Sequence, residues 1–334
     1  ADTPTNTTDD NTDDDSTTVL DADGDGVADA DDTCADTAEG TTVDESGCAV
    51  TFIYLDDNGI TIKATDYAVI GESYELDSVS YLVVDSILLR ALSSDFDSWV
   101  QLPFVVTTFI NNLSDFTILG FNEDISSWDV SNVTDMSKMF MGNICYGRDV
   151  EGFNQDISSW DVSNVSNMSY MFEGCAFNYD IGNWDVSNVT NMEGMFLGSA
   201  FNQDISGWDV SNSKNMSKMF LYNTYFNQNV SNWDVSNVTD MNAMFGAFGI
   251  DCIGETPLAF NQDLSTWDVS NVTDCENFST FITGLEGSDY AVYTNAPSWT
   301  EPKPNFANCR VGNEIFLDEN GVTIKATEYA VVGE

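Results

Sequence analysis

A phrase built on Trp-Asp-Val-Ser-Asn recurs six times, at Trp128, Trp160, Trp184, Trp208, Trp233 and Trp267. The three middle intervals are 24, 24 and 25 residues, and the outer two are 32 and 34. A fixed period of this size leaves each unit with an apolar face that only a neighbouring unit can cover, so the repeats must stack. In the repeat at 153–172 the apolar positions are Phe153, Ile157, Trp160, Val162, Val165, Met168, Met171 and Phe172. Trp160-x-Val162 alternates as a strand does, and Met168-x-x-Met171-Phe172 has helical spacing. The expected fold class is therefore an α/β repeat solenoid over residues 121–281, with rungs of about 25 residues.

The departures from the phrase carry information. The last rung has Cys275-Glu276-Asn277-Phe278 in place of Met-x-x-Met-Phe, as a terminal rung would. Extra residues follow Phe140 (Gly142 to Gly152) and Phe245 (Gly246 to Ala259). Both insertions fall at the same point in the rung, so both loops are expected to project from one edge. Stacking also lines up identical polar residues. One ladder is Asn122, Asn154, Asn178, Asn202, Asn227 and Asn261, and a second is Asn132, Asn164, Asn188, Asn212, Asn237 and Asn271. Amide side chains both donate and accept, so these ladders are expected to satisfy turn backbones from rung to rung. The aspartates after each Trp would repel by about 0.8 kcal/mol per stacked pair in water. They must face solvent, accept backbone hydrogen bonds or hold cations.

The flanks differ in texture. Residues 1–18 are Asp, Thr and Asn with almost no apolar content, and read as a disordered acidic leader. Residues 19–50 contain Asp21, Asp23 and Asp25 in alternation before Gly26, then Asp29 and Asp32. Alternating carboxylates at a glycine turn suit a hard, oxygen-seeking cation. Residues 51–120 read as a small α+β cap: a hairpin around Asp57-Asn58-Gly59, two more strands, and a helix capped by Asp85. Residues 282–312 are a C-terminal cap or linker. At 313–334 the chain begins again: Ile315–Glu334 matches Ile53–Glu72 at fifteen of 20 positions, offset by 262 residues. Duplication of a whole 51–312 module is the expected origin, and the chain reads as a window on a longer periodic polypeptide.

Charge and composition exclude several functions. There are 56 acidic and 9 basic residues, a formal charge of −47. Such a surface repels nucleic acid and anionic membranes. No run of about 18 apolar residues exists to span a bilayer. The chain has no histidine, which removes Ser-His-Asp and Cys-His mechanisms. Carboxylate-pair chemistry survives on residue types, but the acids are mostly repeated rather than unique. The seven cysteines form no Cys-x-x-Cys pair, so disulfides in an oxidising compartment are expected rather than zinc. Cys145 and Cys175 follow the Met-Phe step of successive rungs and are expected to pair.

The phrase Phe-Asn-Gln-Asp-Ile-Ser-x-Trp-Asp-Val-Ser-Asn-Val-Thr-x-Met-x-x-Met-Phe resembles the BspA-like bacterial surface repeat, a leucine-rich-repeat relative. The likeness covers roughly half the chain. It implies a non-enzymatic extracellular protein of the bacterial cell surface, used in adhesion or structural display. The D-x-D-x-D-G-x-x-D-x-x-D-x-C run resembles the thrombospondin type 3 calcium repeat. That resemblance implies Ca²⁺ held by Asp21, Asp23, Asp25, Asp29 and Asp32 with the carbonyl of Val27, and a Cys34–Cys48 disulfide. The expected partners are copies of the same chain or tandem modules of one polypeptide, forming a fibre stiffened by Ca²⁺ and disulfides. The alternative is a module that holds a glycan or a surface protein on its loop edge.

Overall fold

A computed structural model describes residues 20–94, 96–117, 120–142, 152–248, 259–283, 292–295, 302–306, 315–317 and 324–326. The leader 1–18, most of both inserted loops, and Cys145, Cys252 and Cys309 lie outside the described residues. The chain divides into two compact units, Ala1–Phe52 and Ile53–Glu334.

The larger unit opens with a hairpin of β1 (Ile53–Leu55) and β2 (Ile62–Ala64). Its turn is tied by the Asn58 side chain, whose oxygen accepts from the amides of Ile60 and Thr61, each at 2.9 Å. A second hairpin joins β3 (Ser73–Leu76) to β4 (Val79–Val83). Its two linking residues, Asp77 and Ser78, both have positive φ, the twist that a tight two-residue turn requires. Asp85 then caps α1 (Ser86–Ser93) by accepting from the amides of Ile87 and Leu88. A 3-10 segment (Phe96–Phe104) leads into β5 (Val105–Val106), which lies parallel to β4.

From here the repeats stack, but each rung is built differently from the expectation. No strand forms at Trp160-x-Val162, and Met168-x-x-Met171-Phe172 is a run of turns, not a helix. Three turns divide the rung, closed by amide-to-carbonyl bonds from Trp160 to Ile157, Val165 to Val162 and Met171 to Met168. An Asp or Asn sets each turn by accepting the amide two residues on: Ser158 to Asp156, Ser163 to Asp161, and Ser169 to Asn167. Turns this close together leave no room for a strand or a helical turn. The parallel contact falls on the residue before the first Met, where Asn112, Asp135, Asn167, Asn191, Asn215, Asp240 and Asp274 form single bridges to their neighbours.

The helical spacing of the methionines has a separate cause. Between them, Asp115, Lys138, Tyr170, Gly194, Lys218, Ala243 and Asn277 have φ from 52° to 59°. A left-handed residue there stops a right-handed helix and reverses the chain instead. For a residue with a side chain this conformation costs about 1–2 kcal/mol. In one rung alone among these seven the position is a glycine.

The core is a set of aromatic ladders. Trp128 stacks on Trp160, Trp208 on Trp233 and Trp233 on Trp267, with ring centres 6.3–6.5 Å apart. Phe140, Phe172, Phe196, Phe220 and Phe245 form a second ladder at 5.4–5.7 Å. Phe153, Phe177, Phe201, Phe226 and Phe260 form a third, wedged 3.9–4.2 Å from the second. Offset stacking of this kind adds to the apolar area removed from water. Each indole N–H of the six repeated tryptophans donates 2.9–3.3 Å to a backbone carbonyl that precedes it in the stack, so none of these six leaves its polar atom unmet.

The stack begins one rung earlier than the phrase does. Asn112 bridges to Asp135, the Leu113 amide reaches the Asp135 carbonyl, and Asn132 donates to the Thr108 carbonyl as Asn164 does to that of Ser131. Residues 105–117 are thus part of the stack, not of the cap as the 51–120 boundary had it. At the far end β6 (Ala247–Phe248) lies parallel to β7 (Thr280–Thr283), which pairs antiparallel with β8 (Val292–Asn295). Beyond it, β9 (Ile315–Leu317) and β10 (Ile324–Ala326) form a hairpin in the register of β1 and β2.

Candidate functional site

Two places depart from the repeat and bring reactive side chains together. The first is the acidic loop of the smaller unit. Its backbone folds around its own carboxylates. Asp21 accepts from the amides of Gly24 and Gly26, Asp23 from those of Asp25 and Thr37, and Asp25 from that of Val27. Gly24 and Gly26 have φ of 78° and 97°, which frees the chain to turn so tightly. The result draws one oxygen each of Asp21, Asp23 and Asp25 within 4.8 Å of one another.

The other expected ligands are arranged differently. Asp29 accepts from the Ala22 amide and Asp32 from the Cys34 amide, and neither joins the triplet. Val27 takes part through its amide. Even so, Asp25 and Asp32 both reach Gly47: a β-carbon added there would strike Asp32 Oδ1 and lie 3.2 Å from Asp25 Oδ2. A disulfide joins Cys34 to Cys48, beside that glycine. Asp25 Oδ2 is buried and has no hydrogen-bond partner. An orphaned carboxylate oxygen beside two more acids is a donor set that fits a hard cation.

The second place spans three rungs. The Tyr170 hydroxyl donates to Glu193 Oε1, and Lys218 Nζ lies 2.9 Å from the same oxygen and 3.4 Å from the Tyr170 hydroxyl. Asn215 approaches Glu193 Oε2 at 3.4 Å. Gly194 makes this possible: a side chain there would occupy the space of the Tyr170 ring. Leu197, Leu221 and Ala243 form a small apolar strip against which Tyr170 and Tyr222 pack. Sequence reading passed over this cluster. Its signal was present, since Tyr170, Glu193, Gly194 and Lys218 occupy the two positions between the methionines, which the phrase leaves blank.

The charges in this cluster hold one another. Burial first, then the hydrogen bond to the Glu193 carboxylate, pushes the Tyr170 hydroxyl up to about 12. Burial opposes ionisation of Glu193, but hydrogen bonds from Tyr170 and Lys218 outweigh it and keep the carboxyl below its usual range. Lys218 is raised by its bond to Glu193. A tyrosine whose folded pKa is raised stabilises the fold below its ordinary pKa of about 10, and that contribution is lost as pH climbs through the folded value. In wild-type protein one tyrosine is therefore expected to ionise near pH 12 by absorbance at 295 nm. Gly194→Ala should force the ring from Glu193 and move that titration toward 10. An unchanged titration curve in the variant would refute the clasp.

The repeated polar residues are committed to the stack. The amides of Asn154, Asn178, Asn202, Asn227 and Asn261 each donate 2.7–3.0 Å to the side-chain oxygen of the Asn one rung before. The second Asn ladder donates 2.7–2.9 Å to carbonyls of the preceding rung. The aspartates after each Trp accept serine amides at 3.0–3.2 Å. The geometry gives two of the three roles: all six accept a backbone amide, and all but the buried Asp129 also face solvent.

Cys175 requires a correction. It is a buried free thiol, with Sγ 3.0 Å from the Phe153 carbonyl, and burial pushes it up to about 12. It is not bridged to Cys145, which lies outside the described residues. Cys275 is disulfide-bonded. No helix among the described residues is long and apolar enough to cross a membrane.

The sequence model of one protein family, described as "Mycoplasma protein of unknown function, DUF285", matches residues 106–196, 148–251 and 201–284. The first match begins within the early rung at 105–117 that lacks the phrase. No curated protein matches, and no solved structure does.

Proposed function

Since the chain belongs to the DUF285 repeat family, whose matches together run from 106 to 284, we propose that it is a non-enzymatic structural or adhesive protein of the bacterial cell surface. On this reading the stack is a leucine-rich-repeat-like solenoid used as a spacer, extracellular, and joined to further modules or copies of itself. The observation that carries the reading is the use of the repeated side chains. The Trp and both Asn ladders are spent on bonds between rungs, which favours stiffness and length over a reaction centre. The internal copy of residues 53–72 supports serial modules. Electron microscopy of the purified chain and of native material tests this. End-to-end order with a repeat of one module is expected, and isolated particles without such order would sink the fibre.

In the same reading the acidic loop binds Ca²⁺. Asp21, Asp23 and Asp25 would hold it, with the orphaned Asp25 Oδ2 turned to the ion. The ion would neutralise carboxylates that otherwise repel by about 1 kcal/mol per pair in water. Thrombospondin-type kinship of this loop belongs to the same proposal.

One observation favours a second reading, a module that holds a glycan or a surface protein. Tyr170, Glu193 and Lys218 set an aromatic ring, an acid and a base on one face, beside an apolar strip. Binding of a glycan array that is lost in Tyr170→Ala would favour it over the spacer.

A further inference from the structure

We propose that the face centred on Tyr170 and Glu173 is a docking surface for an arginine-bearing segment of another protein. The inference rests on the second reading above, a module that holds a surface protein, and names the face and the chemistry it takes. From rung to rung the phrase changes most at the two positions between the methionines and at the one after the Phe. Tyr170 and Glu173 in one rung are Gly194 and Leu197 in the next, and Lys218 and Leu221 in the third. The amides of Tyr170 and Gly194 donate to the carbonyls of Glu193 and Ser217, so these positions lie side by side. The Trp and Asn ladders repeat because each bonds its neighbour in the stack. Positions free of that duty are the ones that can carry recognition.

The charges on this face pair off and leave one over. Lys218 lies 2.9 Å from Glu193, and Lys138 lies 3.7 Å from Asp115. Glu173 is half-buried, and among the described residues its carboxylate has neither a hydrogen bond nor an ion pair. Burial pushes that carboxyl up against the pull of Lys138 and Lys218, so the fold leaves it short of a cation. The half-buried Tyr170 ring stands on the same turn, where the Glu173 amide donates 3.2 Å to the Tyr170 carbonyl. A carboxylate beside an aromatic ring suits a guanidinium, whose fork meets the acid with two hydrogen bonds while its plane stacks on the ring. An ammonium meets the charge alone. Sugar hydroxyls find fewer openings, because the Tyr170 hydroxyl, Glu193 Oε1 and Lys218 Nζ bond one another. The chain's charge of −47 draws a basic segment in and turns an acidic one away.

The test titrates the full chain into three fluorescent peptides of equal length, alternating glycine with arginine, lysine or citrulline, and follows anisotropy. Salt is held at about 0.15 M, where exposed charges more than roughly 8 Å apart are screened. The arginine peptide is expected to bind, the lysine peptide about fivefold more weakly, and the neutral citrulline peptide not at all. Glu173→Gln should weaken the arginine peptide about tenfold. Glu123→Gln removes the same charge at an exposed position where most other rungs carry Gln, and should leave binding within about twofold. Tyr170→Phe, which keeps the ring, should bind as wild type does, and Tyr170→Ser should not; near-ultraviolet circular dichroism checks that both fold. Equal binding of arginine and lysine peptides, or equal loss in the two Glu→Gln variants, overturns the proposal, because net charge alone would then explain it. Arginine binding untouched by Glu173→Gln overturns this face and leaves the module reading standing. A glycan held by a chain that ignores all three peptides overturns the partner and again leaves that reading. A chain that holds neither removes both.

Discussion

Trp208→Ala is expected to lower stability by about 3–5 kcal/mol, the largest single loss in the stack. Trp208 is buried, stacks on Trp233 and donates 3.0 Å to the Ile181 carbonyl. Truncation opens a cavity between two rungs and removes one hydrogen bond between them, worth about 0.5–1.5 kcal/mol, while the Ile181 carbonyl keeps the Trp184 amide. In a stack whose ladders join neighbouring rungs, a fault in the middle also weakens the coupling of the two halves. Trp267→Ala, in the last rung, should cost less, because it has a rung on one side. Guanidinium unfolding followed by near-ultraviolet circular dichroism measures both. Equal, small losses below about 1 kcal/mol would show that the rungs do not depend on the indole ladder.

The second large effect concerns the smaller unit. Reduction of Cys34–Cys48, which closes a loop with a sequence separation of 14, is expected to cost about 3 kcal/mol. A unit of this size has little apolar core to absorb such a loss. Calcium at a hundred times its dissociation constant should return about 2.7 kcal/mol. Hydrogen exchange over residues 20–50 of the reduced chain should therefore be fast in chelator and slow in calcium, with residues 105–283 unaffected. Asp25→Asn should abolish the difference. Exchange that is the same with and without calcium would remove the ion from the account.

The periodic parts of the fold were legible because they follow from side-chain identity. The Trp, Phe and Asn ladders need only equal spacing and a neighbour. The conformation within a rung was not legible. Apolar spacing at Met168, Met171 and Phe172 is shared by a helix and by two successive turns, and the difference lies in a positive φ at Tyr170 that its residue type does not announce. The early rung at 105–117 was hidden for another reason. It keeps the apolar positions Ile110, Leu113 and Phe116 but none of the Trp-Asp-Val-Ser-Asn phrase. Of the loop acids, the triplet Asp21, Asp23 and Asp25 follows from alternation alone. The placing of Asp29 and Asp32 depends on which amides the loop leaves unpaired.

The bonds that the phrase makes between rungs recur at the same positions in each rung. The Asn202 amide meets Asn178 as the Asn178 amide meets Asn154, and the Trp208 indole meets Ile181 as that of Trp184 meets Ile157. Removing a whole rung, or copying one, brings together two surfaces that already know how to fit. A single inserted residue inside the phrase shifts the turn-setting acids away from their serines and fits nowhere. Such a chain keeps a ruler: its reach can be altered in strides of 24 or 25 residues, and by nothing finer.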